Sequence, residues 1–315
     1  MAAAKRLFRI QYVSDLHLEL YDKLAFPLVL TPAARYLALA GDIGQPHTTL
    51  FKSFLEYTSR NWERVFFVAG NHEYYSKRRA KYWKYSKPNT MFEIQKQLTE
   101  ICAPYKNVHF LHHDSPSVYL PTENIAVIGT TLWTHIPDDF VHEAQTGIND
   151  YNLIPIEDGE TIHCIKPQDT NKLHAKESAM LESHIDYWGS QNVQVCVITH
   201  HMPSYDLISS RYEGSPYNCC FASSQERLMK PHVRAWIYGH THNSASGVIK
   251  KTLCAVNARG YLNEHVPGFS REAWLEFPTT SEESGSHSDD LAAAAAGIRS
   301  PLARIGVVDE EIEFM

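Results

Sequence analysis

Aspartate, asparagine and histidine recur in this chain where short apolar runs end, and together they offer oxygen and imidazole donors suited to metal ions. Val13-Ser14-Asp15-Leu16-His17 sets Asp15 and His17 two residues apart. Residues two apart on an extended chain point the same way, so both can grip one ion. Ala40-Gly41-Asp42-Ile43-Gly44 supplies a carboxylate whose two oxygens could bridge two ions, with glycines that permit a tight turn and close backbone approach. Val68-Ala69-Gly70-Asn71-His72-Glu73 adds a neutral carbonyl oxygen at Asn71 and, at His72, a group that exchanges a proton near neutral pH. His200-His201 ends the run Val197-Ile198-Thr199, and Gly239-His240-Thr241-His242 repeats the two-residue spacing. Each motif alone has a plain alternative: a surface pair at 15 and 17, a helix cap at Asp42, a surface histidine pair at 200 and 201.

Of the elements that carry these residues, Phe8–Val13, Tyr36–Ala40, Val65–Ala69, Ile125–Gly129, Val193–Thr199 and Ala235–Gly239 read as buried strands. They are short, apolar and rich in β-branched and aromatic side chains. Between them, Leu50, Phe51, Phe54, Leu55 and Thr58 share one helical face, in a helix that ends before Asn61. Met91, Ile94, Leu98 and Ile101 share another, opened by a capping box at Thr90 and Glu93. Leu173, Met180, Leu181, His184, Ile185 and Trp188 suggest a third helix. Strands alternating with helices argue for a layered α/β domain. Residues 134–170, broken by Pro137, Gly147, Pro155, Gly159 and Pro167, read as an insertion: a lid or an irregular surface connection. The catalytic domain is expected over residues 1–277. From 278 to 315 the chain turns to Ser, Glu, Gly and Asp and then Ala292–Ala296, a composition expected to be a disordered tail.

Composition narrows the partners. With 29 Lys and Arg against 36 Asp and Glu, the formal charge of −7 gives no general attraction for nucleic acid or anionic membrane. The basic residues Lys77, Arg78, Arg79, Lys81, Lys84 and Lys87 could hold an anionic substrate or form a solvated loop face. No apolar stretch approaches the roughly 20 residues needed to span a bilayer, and no signal-type segment opens the sequence. Six cysteines without zinc-type spacing point to a reducing, cytoplasmic setting.

The order Asp-x-His, Gly-Asp-x-x-Gly, Gly-Asn-His-Glu, His-His and Gly-His-x-His resembles the calcineurin-like metallophosphoesterases from Phe8 to Tyr261. Tyr12–Glu19, Gly129–Thr134, Phe221-Ala222-Ser223 and Asn257–Tyr261 look more narrowly like a stand-alone subgroup without an assigned substrate. The resemblance implies a four-layer α-β-β-α sandwich with two mixed sheets and a dinuclear metal site at the C-terminal ends of the strands. One ion would be held by Asp15, His17, Asp42 and His242, the other by Asp42, Asn71, His200 and His240, with Asp42 bridging. His200, the first residue after its strand, is the ligand rather than His201. A metal-activated hydroxide would attack phosphorus in line, and His72 would protonate the leaving oxygen. Manganese is the expected metal, with iron, zinc or cobalt as alternatives. Arg259 could contact a phosphate or serve structure alone. The expected substrate is a small phosphomonoester or phosphodiester. A protein Ser/Thr phosphatase is a weaker reading because Ile43-Gly44-Gln45-Pro46 follows the bridging aspartate where that branch carries an arginine. A nuclease and a metal-free scaffold are the remaining alternatives. Of the other histidines, His112, His113 and His135 are the ones placed to approach the site.

Overall fold

The computed structural model describes residues 7–83, 85–159, 161–279 and 298–299. Its strands are β1 Leu7–Val13, β2 Tyr36–Ala40, β3 Arg64–Val68, β4 Val108–Phe110, β5 Ser117–Leu120, β6 Ile125–Thr130 and β7 Pro155–Asp158. They continue with β8 Thr161–Cys164, β9 Gln194–Thr199, β10 Val233–Tyr238, β11 Ser244–Ile249, β12 Thr252–Asn257, β13 Trp274–Pro278 and β14 Ile298–Arg299. The helices are α1 Thr49–Asn61, α2 Met91–Cys102, α3 Val141–Gly147, α4 Asp150–Leu153 and α5 Pro167–Ser190, with short 3-10 turns in the loops.

Two six-stranded sheets stack face to face, ordered β14-β13-β1-β2-β3-β4 and β11-β12-β10-β9-β6-β5. Both are mixed. In the first, β1 to β4 run parallel and β13 antiparallel to β1; in the second, β6, β9, β10 and β12 run parallel, with β5 and β11 antiparallel at the edges. Alternation along each strand sends side chains to opposite faces. Ile10, Ala38, Phe66, Ile198 and Ile237 meet in the cluster between the sheets. Leu37, Leu39, Val65 and Phe67 turn outward to pack with Phe51, Phe54 and Leu98 of α1 and α2. On the far side Ile128, Val195, Val197 and Trp236 pack with Leu181 and Ile185 of α5. The result is the four-layer α-β-β-α sandwich the sequence resemblance implied.

The helices form where their caps and apolar stripes allow. Thr48 caps α1 by accepting from the Phe51 N–H at 3.2 Å, and Phe51, Phe54, Leu55 and Thr58 face inward. Thr90 and Glu93 complete a reciprocal capping box at α2. The third helix starts six residues before Leu173. Its N1 position is Pro167, whose fixed φ suits a first turn and whose missing N–H is not needed there. Residues 134–166 are largely ordered as α3, α4 and a β7–β8 hairpin, tied to the site's loops by the Ser76 N–H donating to Leu153 O at 2.8 Å. The low-complexity residues 280–297 and 300–315 lie outside the described residues, whereas Ile298–Arg299 pair with β13. Among the described residues, all six cysteines are free thiols and no helix is long and apolar enough to cross a membrane.

Candidate metal centre

Both sheets aim the C-terminal ends of neighbouring parallel strands at one place, the usual position for a site in such sheets. Asp15 and His17 follow β1, Asp42 follows β2, Asn71 and His72 follow β3, His200 follows β9, and His240 and His242 follow β10. The loops stay in register: Asp15 N–H donates to Gly41 O, His17 N–H to Asp42 O, and Gly239 N–H to His200 O. Five of these residues hold left-handed backbone, with φ of 54° at Asp15, 47° at His17, 52° at Asp42, 68° at His240 and 40° at His242. Such conformations cost side-chain-bearing residues on the order of 1–3 kcal/mol each. Two glycines are required by proximity: a Cβ on Gly41 would lie 2.3 Å from His200 Nδ1, and one on Gly70 2.1 Å from Asp42 Oδ1.

Two clusters of ligand atoms result. In the first, Asp15, His17 and His242 each offer one atom within 4.8 Å of the others. His17 Nδ1 lies 3.1 Å from Glu19 Oε1, and His242 Nδ1 pairs with Glu264. Ionised carboxylates only accept, so each Nδ1 carries the hydrogen and each Nε2 presents a lone pair. Those two Nε2 atoms stand 3.1 Å apart, with Asp15 Oδ1 3.6 Å from that of His242. Acceptors converging in this way require a proton or a cation among them.

The second cluster joins Asp42, His200 and His240. His200 Nδ1 donates to Ala40 O at 2.9 Å, which turns its Nε2 lone pair toward Asn71 Oδ1 at 3.0 Å and Asp42 Oδ2 at 3.5 Å. The Asn71 amide is oriented by its own NH₂, which donates to Asp150 Oδ1 at 2.7 Å, so again acceptors face acceptors. Asp42 Oδ1 takes the His72 N–H at 2.8 Å, while Oδ2 lies between the clusters, 3.5 Å from His200 Nε2 and 4.0 Å from His17 Nε2. Burial opposes the Asp42 charge, but without a metal the protonated rings of His200, His72 and His17 outweigh it and hold the carboxyl well below its ordinary value, the part a bound cation would take over. His201 turns away, its Nδ1 3.3 Å from Thr131 O, and burial pushes it down to about 3. The donor set is carboxylate, imidazole and amide, which fits borderline divalent cations, and each of His17, His242 and His200 has its other nitrogen tethered as metal-binding histidines do.

His72 sits at the rim, stacked on Tyr75 with ring centroids 4.1 Å apart. Its Nδ1 is 3.4 Å from Glu19 Oε1 and its Nε2 3.2 Å from the Tyr261 hydroxyl. Burial disfavours its charged form, but Asp42 and Glu19 prevail and push it up to about 9. Cations in the site would pull it back down. Burial would likewise raise the Glu19 carboxyl, yet His17 and His72 hold it down at about 2.

Several participants carry no role in the sequence motifs alone. Glu19 and Glu73 lie inside two of those motifs without a ligand or proton-transfer assignment. Glu73 accepts from the N–H groups of Asp42, Ile43, Gly44 and Gly70 at 2.7–3.1 Å, pinning the β2 and β3 loops together. Burial and Asp42 push its carboxyl up, while four donors shared over two oxygens suit the ionised form. Asp150 comes from the segment read as an insertion, and Glu264 from a loop with no motif. The three histidines expected to approach the site are occupied elsewhere: His112 and His113 group with Asp114, and His135 faces His174.

Residues 8–244 match the family model described as calcineurin-like phosphoesterase. An uncharacterized protein, L509 of Acanthamoeba polyphaga mimivirus, is 30% identical over 276 residues, spanning 81% of this chain and 92% of that protein. A crystal structure of phosphopantetheinyl hydrolase from Mycobacterium tuberculosis superposes with a TM-score of 0.61 at 15% identity, covering 80% of this chain and 89% of the other.

Proposed function

We propose that this chain, which belongs to the calcineurin-like phosphoesterase family, hydrolyses phosphoester bonds in small molecules using two metal ions. The observation that carries the two-ion reading is the pair of acceptor clusters meeting at Asp42. Asp15, His17, Asp42 and His242 would hold one ion, and Asp42, Asn71, His200 and His240 the other, with Asp42 common to both. The ions, when bound, draw charge off the phosphate oxygens and make water acidic near neutral pH. Manganese is the expected metal, since the site offers no thiolate and mixes hard oxygen with imidazole donors.

The chain's own part is to hold this arrangement and deliver a proton. Glu19, Glu264, Ala40 O and Asp150 fix the imidazole and amide orientations. Glu73 fixes the spacing of the two loops that carry Asp42 and Asn71. His72 donates a proton from Nε2 to the leaving oxygen, with Glu19 holding the opposite nitrogen. A phosphoserine-directed role is disfavoured because Ile43-Gly44-Gln45-Pro46 after Asp42 brings no arginine.

Protein loaded with Mn²⁺ is expected to hydrolyse p-nitrophenyl phosphate or bis-p-nitrophenyl phosphate, and the preferred ester separates monoesterase from diesterase. Asp42→Ala should lose both activity and the second equivalent of metal measured by elemental analysis. Metal-loaded wild type inactive on both esters would overturn the hydrolase reading; two equivalents retained by Asp42→Ala would overturn the ligand assignment.

A further inference from the structure

Beside the metal centre, Arg259 raises a question that hydrolysis at phosphorus leaves unanswered. The loop after β12 donates the N–H of Arg259 to Ser14 O and that of Gly260 to Asp15 O, so it is stitched directly to the first ligand loop. The Arg259 guanidinium is half-buried, lies over the Tyr21 ring with 4.8 Å to its centroid, and donates to the Tyr21 hydroxyl. Among the described residues no carboxylate pairs with it. Among those residues, a permanently charged fork with five donors thus has one neutral partner and no counter-charge.

That side chain lines a half-open cavity of about 450 Å³, together with Tyr21, Tyr261, Glu264, Val266 and Phe269. The volume lies within the roughly 300–1,000 Å³ usual for small-molecule pockets. Glu264 is already committed, accepting from His242 Nδ1 and from the Tyr261 N–H. Tyr261 joins the cavity to the chemistry. Its hydroxyl stands 3.2 Å from His72 Nε2, and its ring centroid lies 4.5 Å from those of both His17 and His242. A group departing past His72 therefore meets Tyr261 first, and behind it the cavity with Arg259.

We propose that this cavity receives the leaving group, and that Arg259 binds a second anionic group, phosphate or carboxylate, carried by that leaving group. The substrate class is then a phosphoester of an alcohol that bears a further anion across a flat or apolar connector. The tyrosines, Val266 and Phe269 contact the connector, and Arg259 takes the anion through two parallel N–H donors. This rests on the hydrolase reading for the direction of departure, but binding in the cavity does not need turnover.

Two esters with leaving groups of similar acidity test it: 4-(phosphonomethyl)phenyl phosphate and 4-methylphenyl phosphate. Wild type with Mn²⁺ is expected to favour the phosphonate ester in kcat/KM by about tenfold or more, mainly through KM. Arg259→Gln should bring that ratio near one, and Arg259→Lys should keep part of it. A wild-type ratio near one, or an equal loss on both esters in Arg259→Gln, would overturn the proposal and leave hydrolysis standing. Binding is read separately by calorimetry with 4-hydroxybenzylphosphonate on full-length protein in chelator. Affinity that falls about tenfold or more in Arg259→Gln supports the pocket even if neither ester turns over. Absent binding, or binding indifferent to Arg259, overturns it.

Discussion

Asp42 uses its two oxygens for different work. One accepts the His72 N–H and so fixes the proposed acid's backbone; the other stands between the two histidine clusters. The acid and the bridge are therefore coupled by geometry but separable by substitution. His72→Ala removes the imbedded proton source without touching a ligand atom of either cluster. It is expected to slow phenyl phosphate, whose leaving group needs a proton, by about 10²–10⁴. The loss on p-nitrophenyl phosphate should be distinctly smaller, and metal content should be unchanged. Equal losses on the two esters would remove His72 from the acid role. At this scale the sequence was informative where a residue type recurs at a strand end, as at Asp15, Asp42 and His240. It was silent where a role arises only from tertiary placement. Glu264 lies 22 residues beyond His242 in an exposed loop, and nothing local marks it as the partner of that imidazole.

Elements position the site through buried carboxylates reaching in from helices and loops, and α5 provides the clearest case. Glu177 accepts from Thr130 Oγ1 at 2.8 Å and from the Trp133 N–H at 2.9 Å, holding the loop whose Thr131 O receives the His200 and His201 N–H groups. Burial pushes the Glu177 carboxyl up to about 7, with the Thr130 and Trp133 bonds opposing. Its folded value lies above the unfolded one, so its stabilising contribution is complete below about pH 4.5 and is lost as pH rises through about 7. Glu177→Gln can keep both hydrogen bonds without titrating. Wild-type stability measured against that variant by urea denaturation should fall by on the order of 3 kcal/mol between about pH 4.5 and 8. Parallel pH profiles would refute this account. Helices α1 and α2 were legible because their apolar stripes and the α2 capping box are local, although α1 runs on through Asn61, before which it was expected to end. Strands β11 and β13 were not: Ser244–Ile249 opens with four small residues and becomes a strand only by pairing with β12, and Trp274–Pro278 only by closing on β1.

For the whole molecule, the layered architecture was legible from strands alternating with helices and from the resemblance, and the central strands β2, β3, β6, β9 and β10 send their two faces into different clusters. The assembled sheets also press like-polarity acceptors together at their shared edge, so cations should stabilise the fold as well as serve chemistry. Mn²⁺ at about a hundredfold its dissociation constant is expected to add about 2.7 kcal/mol per site, seen as a rise in melting temperature that chelator reverses. Asp42→Ala, expected to lose the second equivalent of metal, should lose that site's share of the rise; a full response in the variant would mean the metal binds elsewhere. The same architecture has a consequence for how the protein is made. The proposed ligands run from Asp15 to His242, and β1, which precedes every other described strand, pairs on one side with β2 and on the other with β13. A nascent chain still on the ribosome can neither close the site before residue 242 has emerged nor cover that edge of β1 before residue 278. Completion of the proposed metal centre would thus be a late, post-assembly event, and until then the open edge of β1 needs protection from other chains.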